Sequence, residues 1–395
     1  MKYFLGIFAC LALLTQFVSA QEYASDWTYI EIDNEKNKWG DYDQPEWLRY
    51  FGLAMGDLNN DGKKDILTGR NVYLNPGNDF HATWEKIDLG MNVDGILVMD
   101  IDGDEFADII AQALPAVYWL EATDKSAKKW KSAKIGEIPA TSHVNSQGFE
   151  KAQIISGGKE EFLIAGDGDI YCFEIPDRPE EEQWTITLVA ENTSDEGIGT
   201  GDIDGDGDVD IAVGRRPEGS DEPLLVVWYE NPGDGSKNWK SVIVGKANHP
   251  ADRFEIADIN GDKRADIIVT EERYPGKEPD GNLFWYEQPI ANEAEWERHW
   301  IVTQYSMNNL DIFDIDKDGD IDLLTCEHKG PQLELQIWEN NGYGSFSKNI
   351  IDLGKESHLG TQVADMDEDG DLDIVSIGWD KYKYVHLWIN EGSTD

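Results

Sequence analysis

The chain has 395 residues, with 79 Asp and Glu against 33 Lys and Arg and a formal net charge of −46. So acidic a surface repels phosphate backbones and anionic lipid, which argues against nucleic acid and anionic membranes as partners. The composition is 40% hydrophobic with no Pro-, Ser- or Gly-rich linker, so residues 21–395 are expected to form one large domain with a buried core.

In chain order, the first segment reads as a leader. Lys2, the apolar stretch 5–14 and the small Val18-Ser19-Ala20 predict a secretory signal peptide over 1–20, with Gln21 the first mature residue. A secreted or periplasmic location is expected, and no later run is long enough to span a membrane. Next comes Trp27-Thr28-Tyr29-Ile30-Glu31-Ile32, a strand by its alternation and aromatic content.

One acidic pattern then recurs six times. D-x-[D/N]-x-D stands at Asp57-Asn59-Asp61, Asp100-Asp102-Asp104, Asp202-Asp204-Asp206, Asp258-Asn260-Asp262, Asp314-Asp316-Asp318 and Asp365-Asp367-Asp369. Eight residues after the first Asp of each copy stands another: Asp65, Asp108, Asp210, Asp266, Asp322 and Asp373. Oxygen donors at alternate positions followed by a further carboxylate suit a hard cation, so up to six structural Ca2+ ions are expected on these residues. Apolar, strand-like runs flank every copy, so each loop joins two strands and not two helices.

The first Asp residues are spaced 43, 102, 56, 56 and 51 apart. The long gap is two units, so one repeat, at 149–174, has kept its strands (151–155, 161–165, 169–173) and lost its aspartates. Seven units of roughly fifty residues predict an all-β, seven-bladed β-propeller. In the fourth unit the four strands are expected at 198–202, 209–214, 224–230 and 239–244. The acidic loop joins the first two, A and B. Trp84, Trp130, Trp184, Trp239 and Trp296 open strand D, with Phe346 in the sixth unit, and Trp119, Trp228, Trp285, Trp338 and Trp388 lie in strand C. These positions are expected to pack blade on blade. The last unit stops after its third strand, at 384–390, so residues 27–32 are expected to complete it and close the ring. Cys172 and Cys326 fall in well-separated units, so no disulfide is expected. A monomer is expected.

The face opposite the acidic loops is built from residues that enter strand A or leave strand B. Arg49, Arg70, Arg215, Arg216, Arg253 and Arg273 fall there, as do His143, His249, His328, His358, Lys329 and Lys381. In an acidic chain such a cationic rim would attract an anionic ligand. Any single Arg is more often paired with a neighbouring blade, and any single loop His is more often structural. The clustering carries the expectation. Trp47 and Trp379 belong to connections on the same face and suit stacking on a sugar. His81, His299 and His386 are expected to be structural. Glu255, Glu271, Glu272 and Glu327 offer carboxylates for a hydrolytic pair. His143, His249, His328, His358 and Glu327 offer ligands for an additional zinc or manganese ion. G-x-S-x-G, HExxH and CxxC are absent from the sequence.

The run I-G-T-G-D-I-D-G-D-G-D-V-D-I at 198–211 resembles the FG-GAP (VCBS-type) repeats of seven-bladed propellers, and the resemblance covers nearly all of the mature chain. The W-Y-E-N-P-G turn at 228–233 and its relative at 285–289 look like those of secreted bacterial members. Integrin heads, sugar-binding lectins, propeller-type polysaccharide lyases and a keto-sugar dehydratase share the scaffold, so the resemblance fixes the fold and leaves the activity to the site. The expected activity is β-elimination at a uronic acid of an acidic polysaccharide or oligosaccharide. Arg49, Arg70, Arg215, Arg253 or Arg273, with Trp47 and Trp379, would hold the substrate. His143, His249, His328 or His358 would be the base, and another His, Tyr50 or Tyr305 the acid. The alternatives are a lectin or adhesion propeller without chemistry, and a metal-dependent keto-sugar lyase or dehydratase.

Overall fold

The computed structural model describes residues 26–35, 50–104, 106–237, 239–290, 295–355, 357–378 and 384–392. The expected leader, Trp47, Arg49, Trp379 and Lys381 lie outside the described residues, as does the side chain of His358. Among the described residues the regular elements are 28 strands in seven antiparallel four-stranded sheets, and no helix is long and apolar enough to cross a membrane. Each sheet is one blade, with strands A to D running outward from the axis.

Blade 4 shows the pattern. Strand A is Gly199–Gly201, B is Asp210–Arg215, C is Leu225–Glu230 and D is Lys240–Lys246. The expected strands differ from these only at their ends. The repeat without aspartates is a complete blade 3, formed by Phe149–Ala152, Glu161–Ala165, Asp169–Glu174 and Thr185–Glu191.

The core lies between blades. Ile96, Ile110 and Trp119 of blade 2 pack against Phe162, Phe173 and Trp184 of blade 3, and the two Phe rings stack at 4.9 Å. Trp84, Trp119, Trp184, Trp228, Trp285, Trp338 and Trp388 are all buried, so the recurrent tryptophans fill the gaps between neighbouring sheets. His299 stacks on Trp285 at 4.2 Å and bonds Glu287, a packing role.

Ring closure uses the first described strand. Trp27–Asp33 pairs antiparallel with Val385–Asn390 of blade 7, with Trp27 opposite Asn390 and Ile30 opposite Leu387. Ile30 is 4% exposed and joins a cluster with Leu53 and Ile66 of blade 1 and Leu387 of blade 7. Closure therefore unites sheet pairing with core burial at one seam. Cys172 and Cys326 are both buried and free, as their separation in the repeat order requires.

Candidate functional site

The two faces of the ring carry different chemistry. On one face lie the acidic loops. Carboxylate oxygens of Asp100, Asp102 and Asp104 lie within 4.8 Å of one another, as do those of Asp202, Asp204 and Asp206, and of Asp314, Asp316 and Asp322. Loop backbone amides point inward onto the first carboxylate: Asp61 N donates to Asp57 Oδ1 at 3.0 Å and Gly62 N to Asp57 Oδ2 at 2.8 Å. Gly62, Gly207, Gly319 and Gly370 turn the loop at φ 92–98°, a region that strains any residue with a Cβ. In the last loop Asp365 Oδ1 is enclosed with no hydrogen bond. An all-oxygen donor set with an orphaned carboxylate oxygen fits a hard divalent cation.

The eighth-position aspartates have a role that spacing does not reveal. Asp210 Oδ2 accepts Ile203 N at 3.0 Å and its Oδ1 accepts Asn231 N at 2.8 Å, which ties the loop to the end of strand C. Asp65, Asp108, Asp266, Asp322 and Asp373 repeat the same two bonds, and all six are buried. Blade 3 retains half of this device without the other aspartates: Glu161 Oε2 accepts Ile154 N at 2.8 Å and Ile155 N at 3.0 Å. The carboxylate is thus a backbone clamp, whatever the loop also holds. The Asn that ends strand C then reaches the preceding blade. Asn231 Nδ2 donates to Ile154 O at 2.8 Å, Asn340 Nδ2 to Ile259 O at 2.9 Å, and Asn75 Nδ2 to Met366 O at 3.0 Å across the seam.

On the opposite face the strand A entries surround the mouth of the central channel, a cavity of about 370 Å3. Arg253, at the head of strand A in blade 5, donates from Nε to Asn308 O at 2.8 Å. Its guanidinium lies 3.8 Å from Glu196 Oε2 and 3.6 Å from Asp252 Oδ2. Neither carboxylate oxygen has a hydrogen bond, and neither does Arg253 Nη1. Glu272 accepts from Asn308 Nδ2 and stands 3.8 Å from His328 Nε2. His143, Asp195 and Glu196 each bring a ligand-type atom within 4.8 Å of the others.

Burial dominates the electrostatics of this mouth. It raises the carboxyls of Glu196, Asp252 and Glu272, with Asp252 and Asp195 adding repulsion at Glu196. It also drives His328, 1% exposed, well below the ordinary imidazole range, helped by Lys329 and Arg253. The mouth therefore sets protonatable acids and one guanidinium beside a neutral histidine.

Of the residues expected at the site, Arg253, His143 and His328 come together here. Others are held elsewhere. Arg70 grips Asp88 Oδ1 through Nε at 3.1 Å and Nη2 at 2.8 Å. Arg215 reaches along its own blade to Ser241 Oγ at 3.1 Å, and Arg273 is paired with Asp280. Arg216 donates to Thr193 O at 2.6 Å. Tyr50 is buried beneath Gly69 and donates to Asn92 Oδ1 at 2.8 Å, in the wedge between blades 1 and 2. His249 and Tyr305 are half-buried in the connections before blades 5 and 6. Glu271 is buried, held by Asn248 N at 2.6 Å and by Asn282. Each arginine in the described part thus has a polar partner, and among the described residues the cationic rim suggested by composition is not continuous. Reading the sequence for cations overlooked Asp195, Glu196, Asp252 and Gln147, which precede or open strand A in blades 3 to 5.

Further down the channel Glu150 and Asp311 project from strand A of blades 3 and 6. Enclosure by the ring and repulsion from Asp311 push Glu150 from the usual 4.5 up to about 8, and burial lifts Asp311 to about 6. A raised acid stabilises the fold while protonated. That contribution is complete below the ordinary carboxylate range and is lost as pH rises through about 8. Glu150→Gln keeps the shape without the charge. It is expected to match the parent at about pH 5 and to melt several degrees higher at about pH 9. Thermal scans at both values check this; equal melting temperatures at the higher pH would contradict it.

Comparison with known proteins agrees with this architecture. The family model described as FG-GAP-like repeat matches residues 202–269 and 314–376. No curated protein matches the chain. Among solved structures, an Agrocybe aegerita lectin described as recognising non-reducing terminal N-acetylglucosamine is 14% identical with a TM-score of 0.50, over 76% of this chain and 79% of the lectin. A chain of the structure described as BBS1N in complex with ARL6DN is 9% identical with a TM-score of 0.57, over 94% of this chain and 98% of that one. Likeness at such identity speaks to the fold alone.

Proposed function

We propose, from the premise that this chain is an FG-GAP repeat β-propeller, that it is a secreted, calcium-loaded protein that binds carbohydrate at the channel mouth, over Glu196, Asp252, Arg253 and Glu272. The observation that carries this reading is the set of buried groups without hydrogen bonds at the mouth: Glu196 Oε2, Asp252 Oδ2 and Arg253 Nη1. Buried donors and acceptors left open are costly unless a ligand completes them. Because both kinds are present, the hydroxyl groups of a sugar, each a donor and an acceptor, complement them better than a carboxylate does. The lectin neighbour, which recognises a terminal sugar on a similar scaffold, is consistent with this. Calcium in the acidic loops would fix the opposite face and leave the mouth to ligand.

A second reading keeps the expected β-elimination. It draws on His328, 3.8 Å from Glu272 and held by burial in the unprotonated form that a general base needs, though the same burial lowers its affinity for a proton. One experiment separates the two. Titration with neutral and uronate oligosaccharides in calcium, with ultraviolet absorbance followed for the unsaturated product, is expected to show binding without turnover. Glu196→Gln should weaken neutral-sugar binding about tenfold or more without lowering the melting temperature. Absence of neutral-sugar binding, or indifference to Glu196→Gln, would overturn the binding reading. Turnover lost about a hundredfold in His328→Ala would establish the lyase.

A further inference from the structure

A second cavity, of about 500 Å3, opens between blades 6 and 7, beside the closing strand. Its walls run against the charge of the whole molecule. Lys277, Lys329 and Lys355 line it, with Glu31 the carboxylate among its lining residues, in a chain of net charge −46. Lys355 is committed to Asp352 at 2.7 Å and lies 4.2 Å over the Tyr29 ring. Glu31 accepts from Asn34 Nδ2 at 2.7 Å. Among the described residues no carboxylate forms an ion pair with Lys277, which is exposed, or with Lys329, whose ammonium lies 5.6 Å over the Tyr274 ring. Among the described residues these two ammoniums therefore have no ion-pair carboxylate, although Lys329 also feels the Glu272 carboxyl.

The same cavity has an aromatic wall. Tyr384 stacks on His386 with centroids 5.4 Å apart and planes 13° apart, and Tyr29 lies 5.8 Å from His386. The Tyr29 hydroxyl bonds His386 Nδ1 at 2.9 Å, and His386 is buried, so this wall is fixed before any ligand arrives. Rigid rings cost little conformational entropy on binding. A pyranose presents an apolar C–H face to such rings, and an acidic pyranose carries its charge at the ring edge, towards flanking ammoniums.

We propose that this pocket binds an anionic sugar residue, its ring against Tyr384 and Tyr29 and its acid group on Lys277 and Lys329. The site goes beyond the channel-mouth reading and differs from it in place and in ligand charge. His328 lines the pocket and also faces Glu272, so the two sites share a wall. Uronates and sulfated sugars both carry the required charge.

The test uses the full chain in calcium and isothermal titration with three tetrasaccharides: one containing glucuronate, the same with its carboxyls reduced, and the reduced one bearing 6-O-sulfate. The glucuronate form is expected to bind, and carboxyl reduction to weaken binding about tenfold or more. Affinity restored by sulfate would mean that charge suffices; affinity not restored would mean that the planar carboxylate is read. Lys277→Ala with Lys329→Ala should abolish the preference for the acid form, and Tyr384→Ala should weaken every form that binds at the pocket. Glu196→Gln should leave glucuronate binding intact. Equal affinity for the acid and reduced forms, or no binding of either acid form, would overturn the proposal. If Glu196→Gln, and not the lysine substitutions, removes glucuronate binding, the acid sugar sits at the mouth and the pocket site fails while the mouth reading stands.

Discussion

Asp210→Ala is expected to destabilise the propeller by about 3 kcal/mol or more, with calcium or without it. Asp210 is buried, and both its oxygens accept backbone amides, Ile203 N at 3.0 Å and Asn231 N at 2.8 Å. Alanine leaves two enclosed N–H groups without acceptors and opens the tie between loop and strand C. Asp204→Ala should behave differently. Asp204 is exposed and its carboxylate faces the loop interior, so in chelator its loss should cost less than about 1 kcal/mol. If the loop holds calcium as proposed, the same substitution in calcium should remove a ligand and lower stability by a further few kcal/mol, because an ion there would bind the folded loop only. Denaturant melts of the parent and both variants, with calcium and with excess chelator, check this. If Asp210→Ala costs no more than Asp204→Ala in chelator, the clamp is unimportant. If the parent melts identically in both solutions, the acidic loops are metal-free turns.

The second large effect is expected at the seam. Ile30→Asp places a charge among Leu53, Ile66 and Leu387, all apolar. A cost of about 4 kcal/mol follows, from the lost aliphatic burial and the enclosed carboxylate together. Removing residues up to Asp33 should go further, because strand C of blade 7 then becomes a bare edge. That protein is expected to melt on the order of 10 °C lower and to associate on size exclusion. A peptide spanning 26–33, added in trans, should reverse both changes. A truncated chain that remains monomeric and equally stable would show that the ring does not depend on this strand.

The architecture could be read in the sequence because it is written in periodic chemistry. Aspartates at fixed offsets marked six of the seven A–B connections, and tryptophans at fixed offsets marked most of the C and D strands. The absence of a last strand, matched by residues 27–32, identified the closing pair. Even the repeat without aspartates was recognisable, since its three strands kept their order. The upper face was less legible for a physical reason. Position in a loop says which face a residue is near, but the direction of its side chain is set by strand register and by partners far away in sequence. Arg70 and Arg215 stand where cations were sought, yet each bends along its own blade, to Asp88 and to Ser241. Asp195, Glu196 and Asp252 turn to the mouth, and their acidity did not stand out in a chain so rich in carboxylates. The clamp aspartates were found at the right positions, but their bonds to backbone amides depend on the path of strand C, which spacing does not encode.

The closing strand has a mechanical consequence. Asp26 and Glu391 lie side by side, with Glu391 N donating to Asp26 O at 2.9 Å, and the register runs from Trp27–Asn390 at that end to Asp33–Val385 at the other. Tension pulling those two points apart would not load the hydrogen bonds of the pair together. It would open them in sequence, like a zipper, starting at the bond nearest the pull, so the peak force at any moment is that of one or two bonds. The ring thus resists heat through burial at its seam but offers little resistance to being drawn out by its ends. A chain tethered at both points in a flow or a matrix would yield first at blade 7, and the remaining blades would then be exposed to unravelling from an open edge.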